Sequence, residues 1–295
     1  MSKQVVTPKQ VARAIGVSES SLKRWCDDGV LPAIRTAGGH RRLPISGVLR
    51  FLRDTGRDLV RPELLGLPSS VGAGTRVIDR AEREFREALV NGEEETARRV
   101  IMDLYLARQS IGTICDEIVA EAFHEIGDMW ACHEVDVYQE RLGCQIAVRV
   151  LLELRSLIAP PAGNAPIAFG GAGAEDNYTL PTTMVEVVLR DAGWNALSLG
   201  CELPYDSLCK AIEENRPPLF WMSVSHIRDE AVFLEAAQQL YSTAESCDTA
   251  LAIGGRALTP ELRREMRFTV FCENLTQLAD FAAPLRKRIR IDDES

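Results

Sequence analysis

At 295 residues, with 46% hydrophobic and 26% charged residues, the chain can bury one large core or two to three modest ones, so more than one domain is expected. No apolar run approaches the roughly 18 residues of a membrane helix, and the opening MSKQVVTPKQ lacks a basic-then-apolar pattern, so neither a membrane span nor export is expected and the protein is assigned to the cytoplasm. The net charge of -9 is uneven: residues 1–58 hold eleven Lys or Arg against five acids (Glu19, Asp27, Asp28, Asp54, Asp58), a local +6 that makes this end the one suited to a polyanion.

Thr7-Pro8-Lys9-Gln10 supplies an N-cap, a proline at the first helical position and a capping glutamine three residues after the cap. A helix therefore starts here and carries Val11, Ala12, Ala14 and Ile15 into a core. Gly16-Val17 breaks it, Ser18 caps a second helix, and Leu22 and Trp25 mark that helix's buried stripe. Glu19, Ser20, Ser21, Lys23 and Arg24 are left on its outer face, small polar and basic residues able to enter a major groove. After the turn Asp27-Asp28-Gly29, the stretch Arg35-Thr36-Ala37-Gly38-Gly39-His40-Arg41-Arg42-Leu43 predicts a tight hairpin. Arg35, Thr36, Gly38, Gly39, His40, Arg41 and Arg42 are its candidate DNA contacts; His40 either touches phosphate or packs to hold the hairpin. Over residues 5–57 this order resembles the MerR-like and excisionase-like winged helices. The resemblance implies a domain over 1–60 that reads a double-stranded operator, and specific binding then needs a dimer or tetramer.

Residues 61–75, RPELLGLPSSVGAGT, read as a linker. From 76 to 160 apolar residues recur at helical spacing (Ile111, Ile114, Ile118, Ala122, Ile126), which predicts a four-helix bundle. Glu117, Glu121, His124 and Asp128 share one helical face and read as a solvated surface, and no metal site is assigned. Trp130 is followed ten residues later by Glu140 and then Arg141. Taken with the bundle alone, Trp130 is a core residue; as a W-x9-E pattern it resembles the helical cap of cobalamin-dependent photoreceptor regulators and methionine-synthase-type modules. In those modules the tryptophan shields the upper corrin face and a Glu-His pair follows, whereas Arg141 stands at the histidine position here.

Residues 161–295 change to short apolar runs alternating with helices, with strands near 166–171, 195–199, 219–225, 249–253 and 269–272. The pattern predicts a flavodoxin-like parallel sheet with helices on both faces and a ligand site at the strands' carboxyl ends. Those ends carry Gly170-Gly171-Ala172-Gly173, then Glu175, Asn177 and Tyr178, Ser223 and Ser225, and Gly254-Gly255; the small residues are expected to let a flat cofactor approach the backbone. The order resembles a cobalamin-binding domain, whose first loop carries an acid, a histidine two residues on that ligates cobalt, and a glycine. Aligning Glu175 with the acid puts Asn177 at the histidine and Leu180 at the glycine, and an amide nitrogen is a poor cobalt ligand because its lone pair is delocalised. Three readings stay open: cobalamin held without a protein ligand, a different ligand, or no small ligand with regulation through protein contacts. Trp130, Glu140, Arg141, Glu175, Asn177, Tyr178, Ser223, Ser225, Gly254 and Gly255 are the candidate ligand residues.

The eight cysteines include no C-x-x-C pair and read as thiols, most of them small core residues. No Ser-His-Asp set or phosphate-binding glycine loop is present, so the expectation is a non-enzymatic, DNA-binding repressor controlled through its sensor module. The alternative is a cofactor carrier or antirepressor that acts through protein partners.

Overall fold

In the computed structural model, which describes residues 5–67, 71 and 78–293 and side chains to residue 289, the first helix begins at the predicted cap. Thr7 Oγ1 accepts the Gln10 amide at 3.2 Å while Gln10 Oε1 accepts the Thr7 amide at 2.9 Å, closing a capping box at the head of α1 (Pro8–Ala14). Ser18 likewise caps α2 (Glu19–Asp27) by accepting from the Ser21 amide at 3.1 Å. Strands β2 (Ile34–Arg35) and β3 (Arg41–Pro44) pair antiparallel as the expected wing, and β1 (Val5–Val6) adds to the other side of β3. The wing turn closes through the Thr36 amide on the His40 carbonyl at 2.9 Å, with Gly39 at φ +77°, a backbone region that favours glycine. Helix α3 (Ile45–Thr55) follows, and Val11, Leu22, Leu31, Leu43, Val48 and Leu52 are almost wholly buried among these elements. Each such side chain contributes about 2 kcal/mol. Trp25 is half-buried rather than enclosed in the core, and packs on Phe51 with ring centroids 5.1 Å apart.

The linker expectation changes in the part that is described. Pro62–Leu65 form a 3-10 turn with Leu65 1% exposed, and the Val60 and Arg61 amides both donate to the Ala14 carbonyl, at 2.8 and 2.9 Å. This stretch is packed because its apolar residues find α1, a partner that composition cannot reveal. Residues 68–70 and 72–75 of the expected linker lie outside the described residues. The chain divides into two compact units, residues 1–159 and 160–295, so the winged helix and the bundle belong to one unit.

The bundle consists of α4 (Ile78–Val90), α5 (Glu94–Leu106), a third helix and α8 (Val137–Leu157). The third runs as α6 (Ile111–Thr113), a π-helical stretch Ile114–Ala120 and α7 (Glu121–Ala131). Phe85, Leu89, Ile101, Leu104, Ile114, Ile118 and Leu154 fill its centre. Gly143 lets α8 lie close on α4, since a Cβ there would sit 3.2 Å from that of Leu89.

In the second unit, β4 (Ile167–Ala172), β5 (Asn195–Ser198), β6 (Leu219–Ser223), β7 (Ala250–Gly254) and β8 (Val270–Phe271) form a parallel sheet in the order β5-β4-β6-β7-β8. Helices α9 (Thr179–Asp191) and α13 (Leu275–Asp293) cover one face through Val185, Leu189, Leu278 and Ala282. Helices α10 (Tyr205–Asn215), α11 (Glu230–Ser246) and α12 (Pro260–Glu265) cover the other through Ile212, Leu240 and Leu262. The strand order reverses at β4, which places the topological switch point between the carboxyl ends of β4 and β6.

Candidate nucleic-acid interface and strand-end site

On α2, Glu19, Ser20, Lys23 and Arg24 are exposed while Leu22 is buried, so the outer face carries the predicted polar and basic residues. Ser21 differs: it is half-buried and its hydroxyl meets that of Ser18 at 2.9 Å, inside the cap rather than on the reading face. Arg35, Thr36, Gly38, Gly39 and His40 are exposed on the wing, and the exposure of His40 removes the packing alternative. Arg41 is drawn inward. Its guanidinium pairs with Asp27 at the end of α2, bracing the wing against that helix, and Arg42 Nη1 donates to the Arg41 carbonyl at 3.1 Å. Arg41 also joins Pro8, Glu19, Ser20, Lys23 and Cys26 around a depression of about 310 Å³. Burial pushes the Cys26 thiol above its ordinary value, against the opposing pull of Arg41.

The bundle's candidates lie on its surface. Trp130 is 52% exposed, which excludes the core role, and Glu140 pairs with Arg141 at 3.5 Å. Glu117, Glu121, His124 and Asp128 are all exposed, as a solvated face requires.

At the sheet's switch point the decisive residue is one the sequence reading passed over. Asp176, 2% exposed, accepts the Tyr178 amide on Oδ1 at 3.2 Å and the Ser225 and His226 amides on Oδ2 at 2.6 and 3.3 Å. Its carboxylate thus ties the loop after β4 to the loop after β6, the two walls of the crevice where such sheets bind ligands. Glu175, aligned with the family's acid, stands in the left-handed region at φ +67° and pairs with Arg228 at 3.1 Å; Asn177 is exposed and Tyr178 half-buried. No sequence signal distinguishes Asp176 from Glu175, because its partners lie about fifty residues away.

The glycines at the strand ends also serve a different purpose from the one expected. A Cβ on Gly170 would meet Trp221 at 2.2 Å, one on Gly173 would meet Tyr205 at 2.5 Å, one on Gly254 the Cys272 carbonyl at 2.9 Å, and one on Gly255 the Val224 carbonyl at 2.1 Å. The space their missing side chains leave is taken by the protein's own atoms. Trp221 Nε1 donates to Thr182 Oγ1 at 3.0 Å, and that hydroxyl meets Ser198 Oγ at 2.9 Å, so the indole is locked in place beneath α9. Leu180 and Ser223 are buried, and Ser225 contributes its amide to Asp176. Beside them, burial and the nearby Asp176 and Glu175 charges push the Tyr205 phenol up to about 12.

Residues 5–56 match the helix-turn-helix domain family and residues 81–154 the B12 binding domain family. The chain thus carries a segment matching the helix-turn-helix domain family followed by one matching the B12 binding domain family. The solved structure of the monomethylamine corrinoid protein of Methanosarcina barkeri aligns with TM-score 0.59 at 14% identity, covering 71% of this chain and all of that one, a likeness of fold. A cobalamin-binding protein from Desulfitobacterium hafniense aligns with TM-score 0.37 at 12% identity, over 71% of this chain and 98% of that one. The methanol:cobalamin methyltransferase complex of Methanosarcina barkeri gives 0.38 at 13%, over 71% and 80%. No curated protein sequence matches the chain.

The match over residues 5–56 supports DNA binding, and the match over residues 81–154 is to a domain family that binds B12. The loop after β4 does not fit a histidine-ligated corrinoid. Its ligand position is an exposed amide, the aligned acid is paired with an arginine, and the neighbouring carboxylate is used on backbone amides. Among the described residues no helix is long and apolar enough to cross a membrane.

Proposed function

We propose that this protein is a DNA-binding transcription regulator, acting as a repressor, whose operator binding is set by homo-oligomerisation through its B12-binding-like module. The observation that carries this reading is the pairing of an exposed Ser20-Lys23-Arg24 face on α2 with an exposed Arg35-Thr36-His40 wing inside a helix-turn-helix domain. A recognition helix with small polar and basic residues suits base edges, and a wing with cations and glycine backbone suits phosphates. The protein acts in the cytoplasm, on double-stranded DNA, as a MerR-like regulator and without catalysis. Its effector is recognised by something other than a cobalt-histidine bond; a corrinoid held by shape alone is compatible with the Asn177 loop.

Selection of bound sequences from a randomised duplex pool, followed by anisotropy titrations at several salt concentrations, tests the reading. Enrichment of a two-half-site sequence, with log affinity falling linearly with log salt, is expected. Recovery of an unenriched pool would leave non-specific polyanion binding and sink the operator assignment.

A further inference from the structure

The winged helix reaches the bundle through three arginines outside the DNA-reading face. From α3, Arg50 donates from Nε to the Leu157 carbonyl and from Nη2 to the Ile158 carbonyl, both at 2.9 Å, at the end of α8. One turn on, Arg53 donates to the Tyr105 carbonyl and, at 2.9 Å, to the Gln109 carbonyl at the end of α5, with its guanidinium 4.4 Å from the Tyr105 ring centre. The traffic is reciprocal: Arg108, just past α5, donates back to the Arg53 and Asp54 carbonyls at 2.7 and 3.1 Å. The Tyr105 hydroxyl donates at 3.3 Å to the same Leu157 carbonyl that Arg50 uses, so α3, α5 and α8 meet in one connected joint.

Carbonyls at a helix end lack intrahelical partners and carry the negative end of the helix dipole, which makes them apt acceptors for guanidinium groups. A planar two-pronged donor also fixes direction as well as distance, as a lysine could not. Because prongs run both ways across the seam, turning the reader about the α3 axis breaks both sets at once. Gly56 ends α3 at φ +65°, a backbone region that favours glycine, and a Cβ there would lie 2.5 Å from Arg108 Nη2.

We infer that Arg50, Arg53 and Arg108 are positioning residues that lock the DNA reader to the bundle, so that the bundle's assembly dictates the spacing of the half-sites. This rests on the DNA-binding reading above. The full chain, the Arg50→Lys/Arg53→Lys double variant, which keeps the charges, and the Arg50→Ala/Arg53→Ala/Arg108→Ala triple variant are compared in two ways.

Affinity is measured for a single half-site and for paired half-sites whose separation increases in single base pairs over one turn of DNA. Hydrogen exchange of residues 45–57 is followed in the free proteins. For the unaltered chain, affinity is expected to fall at least about tenfold half a turn from the best spacing. Both variants should flatten that profile to within about twofold, leave single half-site affinity unchanged and speed exchange in α3 about tenfold. A variant that keeps the spacing profile of the unaltered chain, or an unaltered chain equally tight at every spacing, overturns the inference. If the unaltered chain binds no duplex, the DNA reading fails and the spacing role with it, while the exchange arm separately decides whether the arginines hold α3 to the bundle.

Discussion

The reader and the strand-end loops were both expected to present small and polar residues to a ligand, and they treat those residues in opposite ways. On the reader, Ser20, Lys23, Arg24, Arg35, Thr36 and His40 stand in solvent on a framework supplied by other residues. At the strand ends, Gly170, Gly173, Gly254 and Gly255 are filled by Trp221, Tyr205 and two backbone carbonyls, and Asp176 spans the crevice. A surface for a polyanion needs only projecting charge, whereas a crevice needs empty space, and a sequence that lists small residues does not say what occupies the room they leave.

The largest test of that contrast is Trp221→Ala. Removing an indole that is 2% exposed and hydrogen-bonded to Thr182 should lower the stability of the sheet unit by about 3–5 kcal/mol in denaturant unfolding. A loss below about 1 kcal/mol would mean that Trp221 does not plug the sheet's face. Next in size is Asp176→Ala, which strands three amide donors and should cost about 2–3 kcal/mol, with faster hydrogen exchange at Tyr178, Ser225 and His226. Exchange unchanged at all three would break the picture of a bridged crevice.

On the reader, Arg35→Ala should weaken binding to every duplex and reduce the salt slope by about 1, whereas Arg41→Ala should change the slope less because Asp27 already engages that side chain. Equal slope changes would restore Arg41 as a direct phosphate contact. The smallest effect concerns pH. With the Tyr205 phenol raised from 10.0 to about 12, the unfolded chain ionises first, so this residue's contribution to stability is complete below pH 10 and is lost as pH rises toward 12. Tyr205→Phe should flatten that alkaline fall, by about 3 kcal/mol at most.

Much of the fold was legible because local signals agreed with one another. The Thr7-Gln10 box, the Ser18 cap, the Gly38-Gly39 hairpin and the alternating strands and helices after residue 160 all appear where their chemistry predicts. Periodicity also identified the four helices of the bundle, although not the π-helical stretch at Ile114–Ala120. The strand-end site was legible only as a location. That Trp130 would be exposed, that Ser21 would turn into its cap and that Arg41 would be captured by Asp27 depended on partners elsewhere in the fold.

By itself the sequence determined the element order, the cationic reader and the amide of Asn177 two residues after Glu175, since each depends on residue type at a fixed local spacing. Only the tertiary structure decided that Asp176 rather than Glu175 organises the strand-end loops, that the glycines admit the protein's own atoms, and that three arginines seat the reader on the bundle. In each case the partners are brought together from some 20 to 110 residues apart, and whether a carbonyl, an indole or open space faces a given side chain is settled when the chain packs.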